Sequence, residues 1–298
     1  MLELKLLGSP HILLDGRPVS GLSAAKSQAL LFYLAVTGRP QTRQALAGLL
    51  WPDKRESDAL ANLRQALYQL RNTLSEHLEI SRLSVSLNPD LPCQVDAILF
   101  ENAIGENHPL AARQQAVERY TGEFLAGFYV DEAEPFEAWA IVLRERLHRL
   151  ATEALQQLVG AALTQQKASE GLRYANQWLA LEPWREEAHR QLMRLLASSG
   201  QRSAALNQYQ ICRDILIAEM GADPEAETVA LYQQIKEGNG PTFPPPSVGE
   251  RVERPIVVPL VPSPPPVEQT ELPLFGVAAA RHELLQVLQQ PGAPWLLA

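Results

Sequence analysis

Cysteine is nearly absent from this chain: among 298 residues only Cys93 and Cys212 occur, with no His or Cys neighbour at ligand spacing. That excludes a disulfide framework and gives no zinc signature, so both read as reduced packing residues. No segment approaches about 18 uninterrupted apolar residues, and the start, MLELKLLGSP, lacks the basic and apolar regions of a signal peptide. The expectation is a soluble, cytoplasmic protein with no membrane partner. No H-E-x-x-H, G-x-S-x-G or G-x-x-x-x-G-K-[ST] occurs, and the six histidines are scattered. Catalysis needs converging groups, so the chain is expected to be no enzyme, to use no cofactor or metal, and not to bind or hydrolyse ATP by itself.

What is present is enough apolar sequence, 46%, for roughly two domains of about 100 to 200 residues. The net charge of −8 argues against nucleic acid until its distribution is read. Residues 1–92 hold 10 Lys/Arg and 8 Asp/Glu, residues 93–240 hold 13 and 21, and residues 241–298 hold 3 and 5. If any part meets phosphates, it is the first.

That first part opens with alternating Leu2, Leu4 and Leu6, then His11 to Leu14 and the turn Asp15-Gly16-Arg17-Pro18, which predict a small antiparallel sheet. Ser23 is expected to cap a helix through Leu34 that stops at Gly38-Arg39-Pro40, and Thr42 a second helix that closes at Trp51-Pro52. A third helix runs from near Ser57 to about Leu78, followed by a hairpin of residues 79–82 and 83–87 that Asn88-Pro89-Asp90 ends.

From Asp96 to about Ile235 the pattern is helical. A shift of 34 residues aligns Glu153, Ala154, Leu158, Leu172 and Leu181 with Glu187, Ala188, Leu192, Leu206 and Ile215. That period belongs to tetratricopeptide-like hairpins, which stack because one unit cannot bury its own apolar face. Trp139, Trp178, Trp184, Tyr120, Phe124 and Phe128 read as core aromatics rather than a ligand pocket. Residues 241–273 carry 11 of the 23 prolines and read as a semi-extended linker, with a polyproline docking motif as the other reading. Residues 274–298 read as the start of a further domain, cut off at Trp295-Leu296-Leu297-Ala298. The fold class expected is mainly α: a winged helix-turn-helix over 1–92, then an all-α helical repeat domain over 93–240.

The third helix carries the chemistry. At 100° per residue Leu60, Leu63, Leu67, Leu70 and Leu74 form one stripe. The opposite face presents Ala61, Gln65, Tyr68, Gln69 and Asn72, flanked by Arg64 and Arg71, and no carboxylate lies between Ala59 and Ser75. Arg grips guanine O6 and N7 with two bonds, and Gln or Asn does the same with adenine. A solvated surface helix more often alternates Glu with Lys, and the face alone leaves both readings open. Its setting between a short helix and a hairpin makes it the recognition helix of a winged helix. Arg82 at the hairpin tip then reaches backbone or minor groove. Lys54 and Arg55 at the helix entrance sit near phosphates, or read equally as solvated surface charge.

Several separated motifs resemble one family in the expected order. They are Leu50-Trp51-Pro52-Asp53, the helix from Ala61 to Arg71, Val85-Ser86-Leu87-Asn88-Pro89 with Val95-Asp96, and Tyr120-Thr121-Gly122-Glu123-Phe124-Leu125-Ala126-Gly127-Phe128. Phe136-Glu137-Ala138-Trp139, the run from Leu181 to His189, and Glu219-Met220-Gly221-Ala222-Asp223-Pro224 with Glu227-Thr228 continue the series. Over about residues 1–240 the chain resembles the Streptomyces antibiotic regulatory protein family, a response-regulator type winged helix followed by a bacterial transcriptional activator domain. The resemblance implies double-stranded DNA bound at promoter repeats, a homodimer on that DNA, and activation through RNA polymerase. Larger relatives continue into a P-loop ATPase module, whose lead-in Leu274-Phe275-Gly276 resembles, although Val277 stands where relatives carry Arg. The competing functional class is a protein-interaction adaptor in which the repeats hold a peptide and the winged helix is structural.

Overall fold

The computed structural model describes residues 1–104 and 108–238; the Pro-rich run 241–273 and the segment 274–298 lie outside the described residues. The chain starts with strands β1 (Leu2–Lys5), β2 (His11–Leu14) and β3 (Arg17–Pro18). Asp15 and Gly16 both have positive φ, 50° and 74°, the tight turn that matches strand twist and sets the β2–β3 register Leu14↔Arg17 and Leu13↔Pro18, while β1 pairs with β2 as Leu2↔Leu14 and Leu4↔Ile12. Alternation buries Leu2 and Leu4 on one face.

Helix α1 (Ala25–Thr37) ends at Gly38, whose left-handed φ of 61° lets its N–H donate to Leu34 O at 3.1 Å. The expected Ser23 cap is not used: the helix starts two residues later, with Ala24 at the cap position and no side-chain cap bond. The approach is fastened instead by Gln28, whose Nε2 donates to Leu22 O at 2.6 Å. After β4 (Gln41–Thr42), Thr42 does cap α2 (Arg43–Leu50), its Oγ1 accepting from Ala45 N at 3.2 Å, and Trp51 closes the helix. Helix α3 (Glu56–Leu74) and one 3-10 turn, Ser75–His77, lead into β5 (Leu78–Ile80) and β6 (Ser84–Leu87). These pair with β4 in the order β4-β6-β5, the wing.

Then β7 (Cys93–Val95) returns to the first sheet and lies parallel to β1, giving the order β3-β2-β1-β7. The helical part follows as α4 (Asp96–Ile104), α5 (Leu110–Arg119), α6 (Glu134–Thr164), α7 (Ala168–Leu181), α8 (Glu186–Ser198), α9 (Arg202–Met220) and α10 (Ala226–Glu237). Helices α7 and α9 start 34 residues apart, at Ala168 and Arg202, and Ala154, Ala188, Leu158 and Leu192 are all buried. The sequence period is therefore that of packed helical hairpins. Gly171 makes one close approach possible, since a Cβ there would fall 2.6 Å from Leu195 Cδ2 of α8. The fold is a winged helix followed by a helical repeat domain.

One apolar core crosses residues 92 and 93 without a break, from Leu2 through Phe32 and Leu67 to Phe124, Phe136 and Leu147. The segment after α5 lies along residues 6–8, just past β1: Leu125 N donates to Leu6 O at 2.8 Å and Gly8 N to Glu123 O at 2.9 Å. Asp96 accepts from Leu6 N at 2.7 Å and Leu7 N at 3.1 Å, tying the start of α4 to the same strand. Phe32 meets Phe128 edge-on at 5.3 Å, and Tyr33 meets Trp139 at 5.0 Å. These links carry α1, which packs on α3, and the root of the repeats on one frame. Trp184 departs from the core reading: it sits in the α7–α8 turn, 45% exposed.

Candidate nucleic-acid interface

Helix α3 is amphipathic for a simple reason. Ala59, Leu63, Ala66, Leu67, Leu70 and Leu74 recur every three or four residues and are buried, with Leu60 half-buried beside them. Burial of that stripe fixes the rotation of the helix. Arg64, Gln65, Tyr68, Arg71 and Asn72 are therefore all exposed, Tyr68 by 66%. Among the described residues none of these five side chains has a hydrogen bond or ion pair to another group of the chain. Glu56 and Asp58 sit in the first turn, where they complement the helix dipole, and Arg71 complements the last.

Gln69 does not belong with them. It is half-buried, and its Oε1 accepts a 2.7 Å hydrogen bond from Ser27 Oγ on α1, so it sets the angle between two helices. A helical wheel cannot separate it from Tyr68 because it lies at the edge of the stripe; only the neighbouring helix decides.

Lys54 and Arg55 are exposed at the entrance to α3. Lys54 Nζ lies 3.7 Å from Glu132 Oε2, and the same residue's carbonyl accepts from Lys26 Nζ at 3.3 Å. Lys26 also stands over the Trp51 ring at 5.5 Å. Burial lowers the Lys26 pKa, and Glu132 works against that shift. Lys54 thus joins the helix entrance to the segment before α6, a contact invisible from spacing because the partners are 78 residues apart.

Arg82 is exposed at the wing tip. The spacing argument missed Arg43, whose Nε donates to Ser81 O at 3.0 Å and whose backbone N donates to Leu83 O at 3.0 Å. It fixes the wing to the first residue of α2. The two-residue strand β4 just before it is too short to be read from alternation. Elsewhere the chemistry is quiet: burial pushes the Cys93 thiol up to about 11 and the Cys212 thiol up to about 12, so neither is a nucleophile at neutral pH.

A family model described as the bacterial transcriptional activator domain matches residues 101–236. The chain is 25% identical over 251 residues to the regulatory protein AfsR of Streptomyces coelicolor, covering 80% of this chain and 24% of that protein. It is 28% identical over 240 residues to AfsR of Streptomyces griseus, covering 74% and 23%. Among solved structures it is similar to Mycobacterium tuberculosis EmbR, solved in complex with a low-affinity phosphopeptide, with a TM-score of 0.53 and 22% identity over 80% of this chain and 65% of that one. The chain spans about a quarter of the length of the curated relatives it matches. No helix among the described residues is long and apolar enough to cross a membrane. The match to the bacterial transcriptional activator domain thus covers most of the helical part, and the winged helix precedes it in the chain.

Proposed function

We propose that this chain is a sequence-specific DNA-binding activator that reads promoter repeats with α3 and the wing, and contacts RNA polymerase or a second protomer through its helical repeats. The observation that carries the reading is the outward face of α3, where two arginines, two amide side chains and a tyrosine stand exposed with no partner within the chain. Buried leucines behind that face hold it rigid, and base-edge recognition needs such pre-set donors. Arg64 and Gln65 address base edges, Arg71 and Asn72 address bases or phosphates about two turns on, and Arg82 addresses the adjacent groove. Lys54 and Arg55 add phosphate contacts, Lys54 after exchanging Glu132 for a phosphate oxygen. The protein works in the cytoplasm, as a dimer on tandem half-sites, and catalyses no reaction.

The test is a salt series. Binding of the whole chain to promoter fragments from its own locus is measured against random duplex as competitor. Tight, competitor-resistant binding whose logarithm falls linearly with log salt is the expected result. Equal weak binding to every duplex overturns DNA reading and leaves the adaptor, in which the repeats alone hold a peptide.

A further inference from the structure

Leu83 stands at the tip of the wing, 77% exposed, more than any other large apolar side chain among the described residues. The tip that carries it is tightly built. Ser81 Oγ accepts from Leu83 N at 3.2 Å and from Ser84 N at 2.9 Å, and Ser81 N donates to Ser84 O at 2.9 Å. Arg43 engages Ser81 O and Leu83 O from behind. Most of the tip's backbone groups are thus satisfied inside the protein, and what the tip offers outward is two side chains, the Arg82 cation and the Leu83 isobutyl group.

A lone exposed leucine on a floppy loop has no meaning. One held by five hydrogen bonds beside an unpartnered guanidinium has a specific chemical complement: a surface with a negative floor and apolar walls. The DNA minor groove fits, because its floor attracts a guanidinium, its walls are sugar faces, and its base steps open to an apolar wedge.

We propose that Leu83 wedges into the minor groove beside the major-groove site read by α3, so that part of the sequence preference is a preference for an easily deformed base step. The proposal rests on the DNA-binding reading above. It adds a specificity that needs no base-edge hydrogen bond, since the cost of opening a step depends on which step it is. The most deformable are TA and CA/TG.

The experiment uses the whole chain and end-labelled duplexes whose bend is read by fluorescence energy transfer. They carry TA, CA/TG or a stiff A-tract at the position that footprinting assigns to the wing. Wild type is expected to bend the flexible duplexes by about 20–90°. Leu83→Ala is expected to abolish most of the bend and to weaken binding about five- to tenfold on flexible steps, with little change on the A-tract. Its salt slope stays as in wild type because no phosphate contact is lost. Leu83→Met restores the bend, which separates a wedge from a specific leucine contact inside the protein. A Leu83→Ala protein that bends and discriminates as wild type does overturns the wedge alone. So does an equal loss on all duplexes. A wild type that selects no duplex in the salt series removes the underlying reading together with the wedge.

Discussion

Arginines in the two halves of this molecule are used differently. In the helical repeats several of them meet carboxylates of the same chain: Arg173 reaches Glu118 at 3.3 Å, Arg185 reaches Glu182 at 3.6 Å, and Arg146 pairs with Glu101. Arg190, only 11% exposed, holds Glu225 at 2.8 Å and Thr228 Oγ1 at 3.0 Å, while Glu186 accepts from Glu225 N, so α8 caps α10. On α3, Arg64 and Arg71 form no ion pair among the described residues, because the helix's own acids, Glu56 and Asp58, are confined to its first turn. The cause is compositional, because residues 93–240 carry eight more acids than bases and residues 1–92 two more bases than acids. Where acids are in excess, arginine becomes a strut. Where they are missing along a whole helix face, it is left for an external anion.

The largest effect that sharpens this contrast comes from within α3 itself. Leu67 is 4% exposed and Tyr68, its neighbour, 66%. Leu67→Ala is expected to cost about 2–5 kcal/mol of stability by leaving a cavity in the shared core. Thermal unfolding reads it, and an unchanged midpoint would mean that the helix is rotated from its described setting. Arg64→Ala and Tyr68→Ala, on the outer face, are expected to leave thermal unfolding unchanged. Each is expected to lose about 1–3 kcal/mol of specific affinity in competition binding, since each removes one base-reading group. If both mutants discriminate cognate from random DNA as well as wild type, the unpaired arginines are ordinary surface charge and the contrast between the halves carries no function.

Much of this was legible in the sequence, and the exceptions share a cause. The Leu stripe of α3, the Thr42 cap, the Gly38 stop and the 34-residue spacing are local, set by periodicity or by one residue's backbone preference. Gln69, Arg43 and Lys54 are defined by partners 42, 38 and 78 residues away, which no window of sequence contains. Trp184 reads as core from its helical spacing among the aromatics of the repeats, but it stands in the turn between α7 and α8, 45% exposed. The seam is the largest such feature: Leu6 and Leu7 of the first strand's end bond to Asp96, 90 and 89 residues on, and the continuous core follows from that pairing.

The two halves also differ in how pH reaches them. His189 on α8 is buried, its Nε2 donating to Pro183 O at 2.8 Å and its Nδ1 accepting from Gln208 Nε2 at 2.7 Å. Burial lowers its pKa from 6.5, so the folded protein keeps it neutral while the unfolded chain takes up a proton first. The stability this neutral ring contributes is complete above the unfolded value, and it is lost as pH falls below about 6.5 toward the folded value. His189→Gln is expected to flatten the dependence of the unfolding midpoint on pH between about pH 7 and about pH 5. An identical slope in both proteins would show that the ring titrates freely. Helix α3 contains no histidine, so DNA affinity in the same window is not expected to follow this titration.

The smallest predicted effect is the one that most directly tests whether a paired arginine is a strut. Arg149 and Glu153 form an i,i+4 pair on α6 at 3.3 Å with both side chains well exposed, 63% and 49%. In water such a pair is screened and must hold two long side chains still, so Arg149→Ala is expected to cost only about 0.3–0.5 kcal/mol. It should leave DNA affinity and salt slope untouched, which a competition assay with the wild-type operator would read. A fall in affinity comparable with that of Arg64→Ala would place part of the phosphate contact on α6. The division between internal and external arginines would then run through the repeat domain instead of along its border with the winged helix.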